Sequence, residues 1–315
     1  MSDNQATEKK QNLAELGDGE VFVKRTNDGF IKAVKGVVKL SEQKGHLAEI
    51  QGKVMITAAG FYELNKISGL SIITPDKLTL PEGKVVVNPY PIIDPESGSI
   101  SKVWVKKMGV GYSPIGNLVI TSSTLLYDIR MYFVQDLVKK VKKDKTAGKI
   151  VAEHMLTADM KEKGIFQKIE GDIGVWANFE HYDVLKALET FVQNKLFAER
   201  KAQTICERNV LKKHPALSQV YVTPQGPQKS RKAAIPVVGW THDLSQDELI
   251  EIAEEAANVD EGEVEVEVAG QKAKVVDVGG EIIDEEVMAA LEDEENFSED
   301  KDDNDNDNDN ERGTY

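Results

Sequence analysis

The chain has 315 residues, 40% of them apolar and 30% charged, and a net charge of -15, which is enough apolar surface for one large domain or two modest ones. No stretch reaches the roughly 20 consecutive apolar residues of a membrane-spanning helix, and Met1 to Asn12 is polar without an apolar signal core, so a cytoplasmic protein that touches no membrane is expected. The single cysteine, Cys206, excludes an internal disulfide, has no Cys or His neighbour at metal-ligand spacing, and reads as a small core residue.

The predicted elements begin after a polar arm, residues 1–18. Alternation in Glu20-Val-Phe-Val-Lys-Arg25 and Lys53-Val-Met-Ile-Thr57 predicts strands, with residues 47–51 between them. Thr57 then reads as an N-cap, and Phe61, Leu64 and Ile67 follow at helical spacing until Gly69 stops the run. Three β-rich segments, residues 70–74, 84–94 and 100–108, should pair as an antiparallel sheet, with Pro95-Glu-Ser-Gly98 as a turn. A fourth strand over 117–122 follows the loop Gly109–Gly116, and Ser123 is a candidate cap for a helix reaching about Lys143. A long helix is predicted over 182–213, with Leu185, Leu188, Val192, Leu196, Ala202 and Ile205 inward and His214-Pro215 ending it.

The stretch Thr223-Pro-Gln-Gly-Pro-Gln-Lys-Ser230 reads as a linker, and the charge changes sign close to it. Residues 1–235 hold 35 Lys+Arg against 26 Asp+Glu, whereas residues 236–315 hold 4 against 28. Beyond the linker, an acidic helix over 245–258 with Leu249, Ile250 and Ala253 inward, a hairpin around Ala269-Gly-Gln271 and a last helix over 284–291 form a small module. The Asp-Asn repeat over 302–310 lacks the apolar surface to offset the entropy of ordering. The expected organisation is therefore an arm (1–18), a basic α+β nucleic-acid-binding domain (19–217), a linker (218–235), a small acidic domain (236–295) and a disordered tail (296–315). The fold class is α+β, an antiparallel sheet core packed with long amphipathic helices, plus the acidic C-terminal α/β module.

Catalytic signatures are missing from the sequence. It has no phosphate-binding P-loop, no Gly-x-Ser-x-Gly elbow and no His-Glu-x-x-His pair, and its histidines are scattered as surface or helix-end residues. A non-catalytic protein without cofactor or metal is expected. The glycines of 109–116 join two strands instead of feeding a helix N-terminus, which reads as a long hairpin turn rather than a nucleotide cradle. On the strand before it, Lys102, Trp104 and Lys106 share one face, either as cation, aromatic, cation or as a core Trp with snorkelling lysines. With Lys107 and Tyr112 they would offer phosphate contact and base stacking. The densest positive charge is Lys139, Lys140, Lys142, Lys143, Lys145 and Lys149. Its bland reading is a solvated helix C-terminus, where cations are favourable. A second basic set, Lys195, Arg200, Lys201, Arg208, Lys212 and Lys213, lies on the long helix. Two basic elements can line a groove that grips phosphate without reading bases, which suits single strands.

The segments Gly52-Lys-Val-Met-Ile-Thr-Ala-Ala-Gly-Phe-Tyr-Glu-Leu-Asn-Lys-Ile-Ser-Gly69 and Phe197-Ala-Glu-Arg-Lys-Ala-Gln-Thr-Ile-Cys-Glu-Arg-Asn-Val-Leu211 resemble phage-type single-strand annealing proteins of the RecT, Erf and Sak kind, over about residues 50–215. The resemblance implies a sheet with a long helix packed on it, homo-oligomeric rings or filaments, and a basic groove holding one DNA strand in a bacterial or phage-infected cell. It places Arg200, Lys201 and Arg208 against the backbone and Lys106, Lys107 and Tyr112 at the groove's border. The acidic region is larger than the family pattern requires. On a flexible tether it would compete with DNA until complementary strands, an exonuclease or a single-strand-binding protein displaced it, or it would serve only as a solubility tail. Two rival readings are an accessory protein that binds protein partners through its acidic half without touching DNA, and a metal-dependent enzyme acting on nucleic acid.

Overall fold

In the computed structural model the described residues are 20–26, 29–50, 52–218, 222–241, 245–257, 264–268 and 271–278. The predicted arm, the helix over 284–291 and the Asp-Asn tail lie outside them. The fold is mixed α and β with mostly antiparallel sheets, and the chain divides into two units. The first holds residues 1–88, 106–124 and 204–315, and the second 89–105 and 125–203.

In the first unit, β1 (Glu20–Thr26), β2 (Gly29–Ser41) and β14 (Lys232–Thr241) form an antiparallel sheet with β2 in the middle. A hairpin of β3 (Leu47–Ile50) and β4 (Lys53–Ile56) leads into α1 (Ala58–Ser68). Its caps are the predicted ones: the Thr57 hydroxyl accepts from the Gly60 amide at 3.1 Å, and Gly69 closes the helix at φ 69°. Phe61 and Leu64 face inward and share a core with Leu40, Leu70, Leu211, Leu217 and Ile235. The second sheet runs β15 (Val264–Val268), β16 (Gln271–Val278), β10 (Leu118–Asp128), β9 (Ile100–Tyr112), β5 (Ser71–Ile73), with β8 (Tyr90–Ile93) also on β9. Residues 84–94 do not form one strand as expected: β7 (Val85–Val87) pairs instead with β6 (Lys77–Thr79) as a separate hairpin.

Three expectations are revised here. Gly109 and Gly111 are not loop residues but lie within β9. A Cβ at Gly109 would sit 2.5 Å from Val210 of α5 (Ala198–Lys213), and one at Gly111 would strike Leu70, so both glycines exist for close packing. Secondly, β10 continues through Ser123, because Leu125 and Tyr127 alternate inward; Asp128 is the true cap, accepting from the Met131 amide at 3.2 Å. Lastly, the described strands within the expected acidic domain pair with strands of the expected basic one. β14 pairs with β2 from Lys232↔Ser41 through Thr241↔Lys32, and β16 pairs in parallel with β10 from Val119↔Lys274 through Ser123↔Val278. Helix α6 (Gln246–Ala257) buries Leu249 and Ala253 in one cluster with Met108, Val110, Tyr112 and Trp240, while Ile250 stays exposed.

The second unit packs two helices on a three-stranded antiparallel sheet of order β11 (Gly148–Ala152), β13 (Ile173–Asn178), β12 (Gly164–Glu170). Helix α2 (Ile129–Lys143) turns Phe133, Val134, Leu137 and Val141 inward. After the short α3 (Ala158–Lys163), α4 (Tyr182–Leu196) does the same with Val184, Ala187, Leu188 and Phe191. Phe133 stacks on Phe191 with ring centroids 4.4 Å apart. The predicted long helix is thus two. Phe197 is non-helical at φ -111° and ψ 21°, and its carbonyl accepts from the Lys201 amide to start α5. The inward face of α4 is also rotated from the expected one, leaving Leu185, Val192 and Leu196 exposed.

His214 stands at the end of α5, as expected, and is wholly buried there. Its Nε2 donates to the Val119 carbonyl at 3.2 Å and its Nδ1 accepts from the Ala216 amide at 3.1 Å, so the site suits the neutral ring. Burial pushes its pKa down to about 4. The folded state therefore refuses a proton that the unfolded state takes below about pH 6.5, and stability is lost as pH falls from that value toward 4. Urea unfolding across this window should show a loss of about 3 kcal/mol attributable to the residue, and His214→Gln should flatten the curve there while lowering its plateau.

Candidate nucleic-acid interface

The four apolar residues of α2 point to the sheet, which leaves Lys139, Lys142 and Lys143 on the solvent side. The run continues with exposed Lys145 and, at the start of β11, exposed Lys149. The turn between them is held by Asp144, which accepts from the Thr146 amide and hydroxyl at 2.8 and 2.7 Å; these bonds keep its carboxyl below the usual carboxylate range. Carboxylates partly offset the cluster. Lys140 pairs with Asp136 at 3.6 Å and Lys143 reaches Asp183 at 3.8 Å. The second unit holds 15 Lys+Arg against 14 Asp+Glu, so its positive field is a local segregation, not a net charge.

Lys195, Arg200 and Lys201 lie in the same unit. Lys195 Nζ donates to the Ser99 hydroxyl at 2.9 Å and rides over the Phe191 ring, Lys201 Nζ donates to Asn194 Oδ1 at 2.7 Å, and Arg200 is exposed. Lys102 and Trp104 share the outward face of β9, as expected, alternating with fully buried Val103 and Val105. Lys102 forms an ion pair with Asp128 at 2.7 Å, and Trp104 is half-buried opposite Tyr90.

The remaining predicted residues fall in the first unit, and three of them face inward. Tyr112 is 4% exposed and packs on Trp240 at 6.5 Å between ring centroids, which leaves no ring face for a base. Lys107 is 4% exposed, bound to Glu207 at 2.8 Å, and Arg208, 3% exposed, donates to the Ile56 carbonyl at 3.4 Å. The basic residues of the predicted long helix are expected on the face opposite its apolar one, but Val210 and Leu211 are inward too, so α5 is enclosed on several sides. Lys106 and Lys212 are half-buried, and the Lys106 backbone is clamped by the Asn88 side chain at 2.8 and 2.9 Å.

The sequence reading assigns no strand or helix to residues 150–181. Their signal was available: Gly164-Ile-Phe-Gln-Lys168 and Gly174-Val-Trp-Ala-Asn178 each alternate about a glycine and an aromatic residue, and they form β12 and β13, the latter paired with the strand of Lys149. Among the described residues, no group of three or more His, Cys, Asp or Glu side chains is placed to hold a metal ion, and no helix is long and apolar enough to cross a membrane. Comparison with protein-family models, curated proteins and solved structures finds no match.

Burial separates the basic residues into two kinds, and thermal melting should do the same. Lys107→Ala, which leaves a buried gap and Glu207 with the Tyr62 hydroxyl in place of its cation, should cost about 2 kcal/mol or more, and Arg208→Ala a similar amount. Lys142→Ala and Lys143→Ala should each stay within about 0.5 kcal/mol of the parent.

Proposed function

We propose that this chain binds single-stranded DNA and anneals complementary strands in phage-type homologous recombination, as a non-catalytic protein of the cytoplasm. The observation that carries the reading is the exposed run Lys139, Lys142, Lys143, Lys145 and Lys149, ordered by one helix end, one capped turn and one strand. Ammonium groups presented this way neutralise successive phosphates without reading bases, and the counterions they release drive binding. The sequence resemblance over residues 50–215 supplies the annealing step.

Self-association into a ring or filament belongs to the same reading. Its support is the outer face of α4, where Tyr182, Leu185, Val192 and Leu196 are exposed by 67, 50, 55 and 71% at spacings that keep them on one side of the helix. The regulatory part rests on charge: residues 279–315 hold 16 Asp+Glu against 2 Lys+Arg. Such a segment competes for the lysines until DNA, an exonuclease or a single-strand-binding protein displaces it.

The test is binding of labelled oligo-dT across a salt series by the full chain and by residues 1–278, which retain every described residue. Five lysine-phosphate contacts give a log-log slope of about -3.5. Reversing Lys139, Lys142, Lys143 and Lys145 to Glu should abolish most of it, and the shorter chain should bind several-fold tighter at low salt. If neither form binds, the reading fails and a protein-binding role for the acidic half replaces it. Should both bind alike, the tail is a solubility element. Binding by either form leads to an annealing assay with complementary strands.

A further inference from the structure

The sheet of the second unit has one face packed on α2 and α4 through Ile165, Val175 and Ala177. The pleat sends the alternate residues to the opposite face. There the register sets Lys149, Trp176 and Phe166 side by side on β11, β13 and β12, with Val151, Gly174 and Lys168 as the next row. A cation, an indole and a phenyl ring thus stand in line across three strands, about 4.8 Å from one strand to the next.

Two glycines make room for the rings. A Cβ on Gly164 would come within 2.5 Å of the Trp176 indole nitrogen, and a Cβ on Gly174 within 2.5 Å of the Phe166 ring. Each ring therefore fills the space where the diagonal neighbour on the adjoining strand has no side chain. Trp176 Nε1 donates to the Met160 carbonyl at 2.6 Å, which fixes the indole in its plane and satisfies its polar edge. Both rings are half-buried, and Lys149 and Lys168 are exposed. Lys168 carries a 3.5 Å ion pair with Glu153, and both side chains are more than half exposed, so a phosphate can replace that carboxylate at little cost. Arg130, also exposed, donates to the Lys168 carbonyl at 2.8 Å.

From this geometry we infer that the outer face of β11, β13 and β12 is a base-stacking platform, on which Trp176 and Phe166 take successive bases of a single-stranded nucleic acid while Lys149 and Lys168 take the flanking phosphates. A packed core has no need for aromatic rings laid over glycines toward solvent. Rings preset in one orientation lose little freedom when a base settles on them, and every base has a π-face, so the site accepts any sequence. Lys149 also ends the lysine run described above, which makes the platform its continuation along β11. The inference rests on the nucleic-acid reading and assigns it a site.

Titration of the full chain with oligo-dT, and in parallel with oligo-U, tests it through tryptophan emission and through anisotropy of the labelled strand. Oligo-dT should quench the emission. Trp176→Phe keeps a ring over Gly164, so it should lose most of the quench while holding affinity within about twofold. The Phe166→Leu/Trp176→Leu pair keeps apolar cover on the glycines but removes both π-faces, and its affinity should fall by about tenfold or more with an unchanged salt slope. Lys149→Gln should lower the slope by about 0.7. If the leucine pair unfolds on melting, the Trp176→Phe quench decides alone. Equal quenching by the two strands assigns stacking common to DNA and RNA, and quenching by one assigns that one. If the chain binds strands but Trp176→Phe keeps the quench, or the folded leucine pair binds like the parent, the platform is overturned and the lysine cluster stands. No binding at all overturns both.

Discussion

The ladder between β2 and β14 joins residues 32–41 to residues 232–241, and the elements of the first unit hang on that closure. Closing so long a loop costs only slightly more entropy than closing a short one, since the cost grows with the logarithm of length. What offsets it is burial along the two strands: Ala33, Leu40, Ala233, Ile235, Val237 and Trp240 are all inside. The entry to β14 is fixed by Arg231, which pairs with Glu49 at 2.7 Å and reaches Glu42 at 3.8 Å. Pro236 is accommodated because β14 is an edge strand, the place in a sheet where a missing amide is tolerated.

This closure separates electrostatics from architecture. The charge changes sign between Ile235 and Pro236, in the middle of one strand. The Pro- and Gly-rich stretch before it is a folded loop in which Gln225 bridges to Lys232 and Ser230 donates to Pro227. Helix α6 is acidic on its exposed positions, yet Leu249 and Ala253 are core residues of the basic half. Among the described residues, the acidic half therefore shares a core with the basic one.

What was legible in the sequence were features decided locally. Thr57 and Gly69 fix the ends of α1 through a cap bond and a left-handed glycine, interactions within a few residues. The pairing of β8 with β9 around Pro95-Glu-Ser-Gly98 was legible for the same reason. Features decided by distant partners were not. Gly109 reads as a loop residue until Val210 is known to press on it from 101 positions away. Leu185 and Val192 fit an inward stripe as well as Val184 and Phe191 do, and only the packing of Phe133 on Phe191 chooses between them. Of the site, the lysine run was legible because long charged side chains seldom go inside. Lys107 and Arg208 are exceptions, and nothing local distinguishes them from their exposed neighbours.

The lysine run and the aromatic row differ in a way that bears on annealing. Charge contacts weaken as salt displaces the benefit of counterion release, and here Asp136, Asp144 and Asp183 stand among the lysines in a unit of nearly balanced charge. Stacking on Trp176 and Phe166, as proposed, would carry no such dependence and would hold a strand where charge alone would release it. Both modes leave the same part of the nucleotide untouched. In the proposed mode lysines would hold phosphates and rings would hold base faces, so the hydrogen-bonding edges would stay available to a complementary strand. In the proposed annealing, pairing would then compete with the protein only through stacking, which the new duplex supplies for itself, and the strand would be released as it anneals.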